Sequence, residues 1–147
     1  MKILAVASIG GHWIQLLRLK PLFKDQEVEY VSTNSSFNST VDGSRFHTIA
    51  DGNRWNKIGL IKCFFEVLIV IIRSKPNVII STGAAPGLMA LLIGRILGIK
   101  TIWIDSIANC NQVSMSGKIV SLFANKTYTQ WQHLATEKIK YKGNVIN

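Results

Sequence analysis

The chain has 147 residues, 48% of them apolar and 17% charged, and its 17 Lys and Arg against 8 Asp and Glu give a formal charge of +9. This composition excludes a disordered chain and predicts a single folded domain over residues 1–147. The charge favours anionic partners, but no RNA-recognition pattern and no zinc-ligand spacing accompanies it, so we expect no nucleic-acid partner.

The cysteines and the N-terminus both indicate the cytoplasm. Cys63 and Cys110 stand outside any motif, which is typical of reduced thiols rather than of a disulfide framework. The opening MKILAVASIGG lacks the length and the cleavage site of a signal peptide. We therefore predict that it forms the first strand of a cytoplasmic protein.

Short β-rich apolar runs alternate with helical patterns along the chain. Strands are predicted at residues 2–7, 27–32, 45–50, 77–81, 100–105 and 126–131. Helices are predicted after the first strand and at residues 58–72, 86–97 and 116–124, whereas residues 33–44 have the composition of a loop. This alternation predicts an α/β fold, a Rossmann-like doubly wound parallel sheet, with ligands at the carboxyl ends of its strands.

The segment 58–72 (IGLIKCFFEVLIVII) is almost wholly apolar but is too short and too interrupted by charges to span a bilayer. On a helix, Lys62, Glu66 and Arg73 form one narrow stripe and leave an unusually wide apolar arc. Two interpretations remain open. The helix is buried between the sheet and its neighbours, or it presents a face to a membrane or a partner subunit.

The loop after the first strand contains Gly10, Gly11 and His12. Two glycines let a ligand approach the backbone, and the N-terminus of the following helix favours an anion such as phosphate. A histidine in the first turn of a helix tends to be held neutral and suits a general base. The alternative is that the glycines form a tight turn and His12 only packs or caps the helix.

The loop after the fourth strand (STGAAPG) contains small residues, so Gly83 and Gly87 could lie close to a phosphate or a sugar, or could form only a tight connection. Neither loop carries the G-x-G-x-x-G fingerprint, and strand two ends without an acidic residue for a ribose. We therefore expect no nicotinamide cofactor.

Polar side chains follow the fifth strand. Asp105 ends an otherwise apolar run, and Asn109 lies four residues later. Carboxylate and amide groups at such a strand end either accept hydrogen bonds from sugar hydroxyls or cap the loop itself. Both roles remain open for each residue.

Several segments together resemble one family. SIGGHW, the run KPNVIISTGAAPGLMALLIGRILGIKTIWIDSIAN, SMSGKIV, the strand ending in QW and the closing YKGNVI are similar to bacterial capsule and exopolysaccharide proteins. These proteins are related to the membrane-anchoring subunit of the eukaryotic dolichol-linked N-acetylglucosamine transferase. They are similar in turn to the N-terminal, acceptor-binding half of GT-B glycosyltransferases.

The resemblance implies a subunit of a two-chain inverting glycosyltransferase. This chain would bind a polyprenyl-pyrophosphate-linked acceptor, and a separate UDP-sugar-binding subunit would complete the active site. His12 then corresponds to the base or acceptor-orienting group, Gly10, Gly11, Gly83 and Gly87 to the glycine-rich acceptor loops, and Asp105 and Asn109 to the polar loop after strand five. Such an enzyme needs no metal or other cofactor if helix dipoles and basic groups stabilise the diphosphate.

The resemblance also implies attachment to a membrane. The eukaryotic subunit carries an N-terminal transmembrane helix, whereas this chain starts at strand one, so we expect peripheral binding to the anionic inner face of the cell membrane. The basic first helix and the face of residues 58–72 are the expected contacts. The alternative function is a non-catalytic membrane adaptor that recruits and activates a partner glycosyltransferase.

Overall fold

The strands of the protein all lie parallel in one sheet. The computed structural model describes residues 1–41 and 43–146, so Asp42 of the predicted loop and Asn147 of the closing segment lie outside it. Within the described residues the strands are β1 (Lys2–Ala7), β2 (Glu27–Ser32), β3 (Arg45–Thr48), β4 (Val78–Gly83), β5 (Lys100–Ile104), β6 (Lys126–Thr129) and β7 (Ile139–Tyr141). Their order is β3-β2-β1-β4-β5-β6-β7, and every neighbouring pair is parallel.

Helices connect most of these strands. The α-helices are α1 (Gly11–Arg18), α2 (Lys57–Ser74), α3 (Ala84–Ile96) and α4 (Met115–Val120). Short 3₁₀ helices occupy Lys20–Phe23, Ser35–Thr40 and Gln132–Leu134. The Rossmann-like doubly wound fold is thereby confirmed, because strand-helix-strand crossovers place helices on both faces of a parallel sheet.

The structure adds short elements to the sequence prediction and shifts the ends of several predicted ones. Strand β4 runs on to Gly83, and β7, a three-residue strand in the basic C-terminal segment, was not predicted. A 3₁₀ helix lies inside the predicted loop of residues 33–44 because Asn34 caps it by accepting a hydrogen bond from the Ser36 amide. These differences involve elements too short for a periodic pattern to reveal.

Side chains of β1 and β4 alternate between two apolar cores, one on each face of the sheet. Leu4, Val6 and Ile79 pack with the residues of α2, α3 and α4. Ile3 and Ile80 belong to the other core, which contains the residues of α1. Helices α1 and α2 therefore lie on opposite faces of the sheet.

This placement corrects the expectation that the basic first helix and the 58–72 segment contact one membrane together. A flat membrane surface against the outer side of α2 lies across the sheet from α1. Only one of the two helices can therefore contact a flat membrane at a time.

Helix α2 has two apolar sides. One side packs into the core through residues at four-residue spacing, namely Gly59, Cys63, Val67 and Ile71. The opposite side carries an exposed row of side chains, here called the α2 stripe: Ile58, Ile61, Phe65, Ile69 and Ile72. The helix is therefore not fully buried by the described residues of this chain. None of the described helices is long and apolar enough to cross a membrane.

A buried carboxylate ties strands together near their amino ends. The side chain of Glu29 in β2 forms ion pairs with Lys2 (2.7 Å) and Arg45 (3.3 Å), and it accepts hydrogen bonds from Nε2 of His47 (2.6 Å) and from Ser74 (2.6 Å) at the end of α2. Burial alone would raise the pKa of Glu29, but the hydrogen bonds from Lys2, Ser74 and His47 outweigh it and lower the pKa to about 2. The cluster therefore holds Glu29 ionised.

An apolar groove of about 560 Å³ opens on the α1 face of the sheet. It lies between the 3₁₀ helix Lys20–Phe23 and residues 142–145, and its floor includes Ile3, Ile80 and Ile102. The helical cover of this face is therefore less complete than the doubly wound prediction implies.

Candidate functional site

The turn between β1 and α1 leaves its backbone open to a ligand. Gly10 has φ +74° and ψ −138°, a conformation that favours glycine, and it directly precedes the helix. A Cβ added at Gly10 or Gly11 would meet no described atom within 4 Å. The first turn of α1 contains no acidic residue. An anion can therefore approach this turn without meeting a side chain of the turn or a negative charge in the helix start.

His12 is tied by two hydrogen bonds to residues 81–87, the segment STGAAPG that begins in the end of β4 and is here called the second loop. Its Nδ1 lies 3.1 Å from the carbonyl oxygen of Thr82, and the Thr82 hydroxyl donates to the carbonyl of His12 (2.7 Å). Because the Thr82 carbonyl only accepts, Nδ1 carries the hydrogen of this bond. In the neutral ring Nε2 is then the nitrogen that can accept a proton.

Gly83 makes room for the imidazole of His12. A Cβ built on Gly83 would lie 2.1 Å from Nδ1 of His12, and the backbone at Gly83, with φ +152° and ψ 174°, is in a region that L side chains rarely adopt. Ala84 follows with φ +66°. Gly83 therefore contacts the candidate base, and its contact with an acceptor phosphate stays a prediction.

Gly87 lies on the buried side of α3. A Cβ there would lie 1.8 Å from Oγ of Ser81 and 3.4 Å from the Trp103 ring. Helix α3 can approach β4 and β5 this closely because position 87 has no side chain. The geometry gives Gly87 a packing role, and its predicted role toward an acceptor stays untested.

The carboxylate of Asp105 organises the polar loop after β5, residues 105–109, here called the third loop. It is only 2% exposed and accepts hydrogen bonds from the Trp103 indole (3.0 Å), the Asn109 amide (3.0 Å), and the backbone amide (2.9 Å) and hydroxyl of Ser114. A Cβ at Gly117 would lie 2.7 Å from its Oδ1. Among the two roles left open by the sequence, the structure shows loop capping for Asp105, and direct contact of Asp105 or Asn109 with a sugar stays a prediction.

Sequence reasoning missed a buried and fully hydrogen-bonded polar side chain of this edge, Gln15 of α1. Its side chain is 2% exposed and bonds the backbone at residues 104, 105 and 107. Gln130 and Trp131 reach the same stretch of backbone from the end of β6. The sequence does show a polar residue, Gln15, one helical turn after His12. A polar residue on an amphipathic helix is usually exposed, so this position alone does not predict a buried contact.

The carboxyl edge of the sheet thus brings together most of the predicted residues. His12 and Gly83 are in contact, Asp105 and Asn109 share a hydrogen bond, and Gln15 joins the helix of His12 to the loop of Asp105. The arrangement places an imidazole, a glycine turn before a helix and a polar loop along one edge of the sheet. Such a surface can accept a proton and bind an anionic, hydroxyl-bearing ligand.

Solved structures share this fold. MurG from Acinetobacter baumannii superimposes with a TM-score of 0.78 at 14% identity over 97% of this chain and 46% of that chain. The UDP-GlcNAc 2-epimerase from Neisseria meningitidis, in complex with UDP-GlcNAc, gives a TM-score of 0.73 at 12% identity over 99% of this chain and 47% of that chain. The sheet and its helices therefore match the N-terminal domain of GT-B glycosyltransferases such as MurG.

Sequence comparisons agree with this likeness. A UDP-N-acetylglucosamine–N-acetylmuramyl-(pentapeptide) pyrophosphoryl-undecaprenol N-acetylglucosamine transferase from Crocosphaera subtropica is 27% identical over 115 residues, 71% of this chain. This chain spans 33% of that relative's length and about half the length of the solved structures. The family described as "Oligosaccharide biosynthesis protein Alg14 like" matches residues 33–145. The chain therefore belongs to the Alg14-like family of oligosaccharide biosynthesis proteins.

Proposed function

We propose that this chain is the acceptor-binding subunit of a two-chain inverting glycosyltransferase. The enzyme transfers a sugar from a UDP-sugar to a polyprenyl-pyrophosphate-linked acceptor in capsule or exopolysaccharide biosynthesis. A second chain binds the UDP-sugar, and this chain supplies the acceptor site and recruits the pair to the inner face of the cell membrane.

The observation that carries the proposal is the orientation of His12. Its Nδ1 is tied to the Thr82 carbonyl, so Nε2 is the acceptor, and the ring lies against Gly83 while its residue directly follows the open turn of Gly10 and Gly11. Glycosyl transfer to a hydroxyl needs a base for the hydroxyl proton and a site for the acceptor's pyrophosphate. Imidazole and open backbone amides are groups of the right chemistry for both tasks.

The reaction is a single displacement. The acceptor hydroxyl oxygen attacks the anomeric carbon of the donor sugar and forms the new glycosidic bond, while the bond from that carbon to UDP breaks. The hydroxyl proton passes to Nε2 of His12, and UDP leaves with the electron pair. Attack opposite to the leaving group inverts the anomeric configuration. His12 positions and deprotonates the acceptor, and the partner chain holds the donor.

The family and a relative's name support the class of substrate. The transferase from Crocosphaera subtropica is named for N-acetylglucosamine transfer to a pyrophosphoryl-undecaprenol acceptor. This chain spans 33% of that relative's length, and the proposal takes from the relative's name only the class of acceptor.

The α2 stripe supports membrane recruitment. Its five apolar side chains are 47–82% exposed, and the exposed Lys62 and Arg73 lie on the same helix. An exposed apolar row with basic neighbours suits shallow insertion into an anionic leaflet. Attachment through this face leaves the carboxyl edge of the sheet free to meet a lipid-linked sugar.

The proposed reaction is tested by reconstituting this chain with its candidate donor-binding chain. The assay follows transfer of a labelled sugar from the UDP-sugar to a short-chain polyprenyl-pyrophosphate-linked sugar. The His12→Asn variant keeps a side-chain amide that can donate to the Thr82 carbonyl but has no Nε2. We expect His12→Asn and His12→Ala to lower kcat about 10²-fold or more, since each removes the base.

The same experiment separates the enzyme subunit from the adaptor. The exposed α2 stripe also favours an adaptor, because recruitment needs a membrane face and no base. If both His12 variants bind the partner and turnover is unchanged, the adaptor function is correct. Full transfer by this chain without a partner would refute the two-chain proposal.

Membrane recruitment is tested by vesicle flotation. We expect the chain to float with phosphatidylglycerol vesicles and to lose most of that binding in the double variant Ile61→Glu/Phe65→Glu. Leu22→Glu is the matched control, because Leu22 is 73% exposed but belongs to the α1 side of the sheet. Equal binding of the double variant and the control would contradict the assignment to α2.

A further inference from the structure

Gln15 is a buried amide between helix α1 and the loop after β5. Its Nε2 donates to the carbonyl oxygens of Ile104 (3.3 Å) and Asp105 (3.1 Å), and its Oε1 accepts from the amide of Ile107 (2.9 Å). Both hydrogens and the oxygen of the side chain are thus engaged with the backbone of a single loop. A buried amide with every group satisfied specifies one position of its partners.

Glutamine is the residue type that this arrangement requires. A glutamate would direct a carboxylate oxygen at two carbonyl oxygens, which only accept hydrogen bonds. A leucine would remove one donor from each of two carbonyls and the acceptor of the Ile107 amide, and an asparagine is one methylene shorter. All three bonds go to the backbone of residues 104, 105 and 107, so their loss frees the loop rather than the helix.

The loop is also held from its other side. Nε2 of Gln130 donates to the Asp105 carbonyl (2.9 Å), and the indole of Trp131 donates to the Ile107 carbonyl (2.8 Å). Gln130 additionally accepts from the amide of Val145 (2.9 Å). The backbone of residues 104–107 is therefore clamped between α1 and the end of β6.

Gln15 and His12 are one turn apart on the same helix. His12 is tied to Thr82 in the second loop, and Gln15 is tied to the third loop. The position of the third loop relative to the imidazole is thus transmitted through α1. A shift of about 1 Å between a base and the groups that orient a substrate can cost about 10²-fold in rate.

We propose that Gln15 is a positioning residue that sets the third loop, residues 105–109, at the distance from His12 at which an acceptor sugar lies between them. The proposal rests on the proposed function, because it assumes that the sugar-bearing acceptor occupies the carboxyl edge. It adds that the sugar, rather than only the pyrophosphate, contacts this loop. Gln15 itself touches the loop backbone and not the substrate.

The test compares Gln15→Leu and Gln15→Glu with Gln132→Leu, a control at an exposed glutamine of the last 3₁₀ helix. Hydrogen exchange of the Ile107 amide and the NMR resonance of the Trp131 indole N–H report on the loop. We expect at least about tenfold faster exchange at Ile107 in both Gln15 variants, with the ring resonances of His12 unchanged. The control leaves all three signals in place.

Kinetics with the partner chain then separate positioning from general stability. We expect the KM for the lipid-linked acceptor to rise about tenfold or more in Gln15→Leu, while the KM for the UDP-sugar stays the same. The pH profile of kcat also stays the same, because His12 is intact. Two variants are used so that poor folding of one leaves the other to decide.

Two outcomes overturn the inference while the proposed function stands. Unchanged exchange at Ile107 means that Gln15 does not hold the loop, and a released loop with an unchanged acceptor KM means that the loop does not contact the acceptor. A wild-type pair that transfers no sugar overturns the proposed function instead, and that result is visible before any variant is measured.

Discussion

Two carboxylates, each 2% exposed, lie at opposite ends of the sheet and are held in different ways. Glu29, near the amino ends of the strands, is surrounded by cations from β1 and β3. Asp105, at the carboxyl edge, is surrounded by neutral donors from Trp103, Asn109 and Ser114. The first arrangement joins strands and the end of α2, whereas the second folds one loop back on itself.

The different partners of Glu29 and Asp105 indicate different roles, one in the stability of the fold and one in the shape of the candidate site. Removing a charged partner of a buried carboxylate lowers the stability of the fold, because an unpaired buried charge is costly. A carboxylate with neutral donors fixes local geometry and brings no positive charge to the candidate site. The amino end of the sheet therefore stabilises the fold, and the carboxyl edge shapes the surface where chemistry is proposed.

The largest expected effect is the loss of stability in Glu29→Gln. The amide cannot balance the charges of Lys2 and Arg45, and its NH₂ group faces the donors of Ser74 and His47. We expect the free energy of unfolding to fall by about 3 kcal/mol, measured by urea titration. Glu27→Gln is the control, because Glu27 is 68% exposed and pairs only with Lys2 among the described contacts. Equal losses in the two variants would show that burial of the cluster does not matter.

Acid should weaken the same cluster selectively. The pKa of Glu29 is about 2 in the folded protein, against an ordinary value of 4.5. A lowered pKa stabilises the fold above pH 4.5, and this contribution is lost as the pH falls from about 4.5 toward 2. Between pH 6 and pH 3 we expect a loss of about 2 kcal/mol from Glu29, measured as the narrowing difference between wild type and Glu29→Gln. Parallel pH curves for the two proteins would contradict this assignment.

Asp105→Asn should have a smaller and more local effect. The new NH₂ group meets donors from Ser114 or Asn109, so two of the hydrogen bonds are lost. We expect a loss of about 1–2 kcal/mol, since the partners are neutral and half-buried. Hydrogen exchange should accelerate at residues 106–114 and stay unchanged in β1 and β2. A loss larger than that of Glu29→Gln would reverse the comparison between the two ends of the sheet.

The architecture was accessible from the sequence because strand runs and helical patterns are local. The burial of Glu29 was not, since the alternation in EVEYVS is typical of a strand with one exposed polar side. Its partners come from the start of β1, from β3 and from the end of α2, which only the folded chain brings together. Buried ionic clusters of this kind depend on strand order, and strand order is not a local property.

The sequence predicts which loops form the candidate site, but it does not predict what the individual residues of the site contact. Gln15 lies about 200° around the helix from Trp13, outside the apolar arc, so its periodicity predicts exposure. Its partners are backbone groups of residues 104, 105 and 107, and a backbone group leaves no signal in the sequence. The sequence predicts that Gly83 lets a ligand approach, whereas its close neighbour in the structure is the ring of His12.

The smallest expected change in stability, and the one that most sharpens the site, is Gly83→Ala. The new methyl group would lie 2.1 Å from Nδ1 of His12 in the present ring position. The imidazole can rotate at the end of its side chain, so we expect it to leave the Thr82 carbonyl rather than the sheet to open. The strained backbone itself adds about 1 kcal/mol. Nitrogen chemical shifts of His12 should show loss of the Nδ1–H tautomer preference.

Gly143→Ala provides the matched control for that change. Gly143 has φ +108°, but an added Cβ meets no described atom within 4 Å, so it carries backbone strain without a clash. The difference between the two variants isolates the contact with His12. If the His12 resonances move in Gly83→Ala alone, the second loop sets the tautomer of the candidate base, and sugar transfer should fall with it. If they move in neither variant, the hydrogen bond between His12 and Thr82 does not depend on the space at position 83. The side-chain positions at the carboxyl edge are then less tightly fixed than those of the Glu29 cluster at the other end of the sheet.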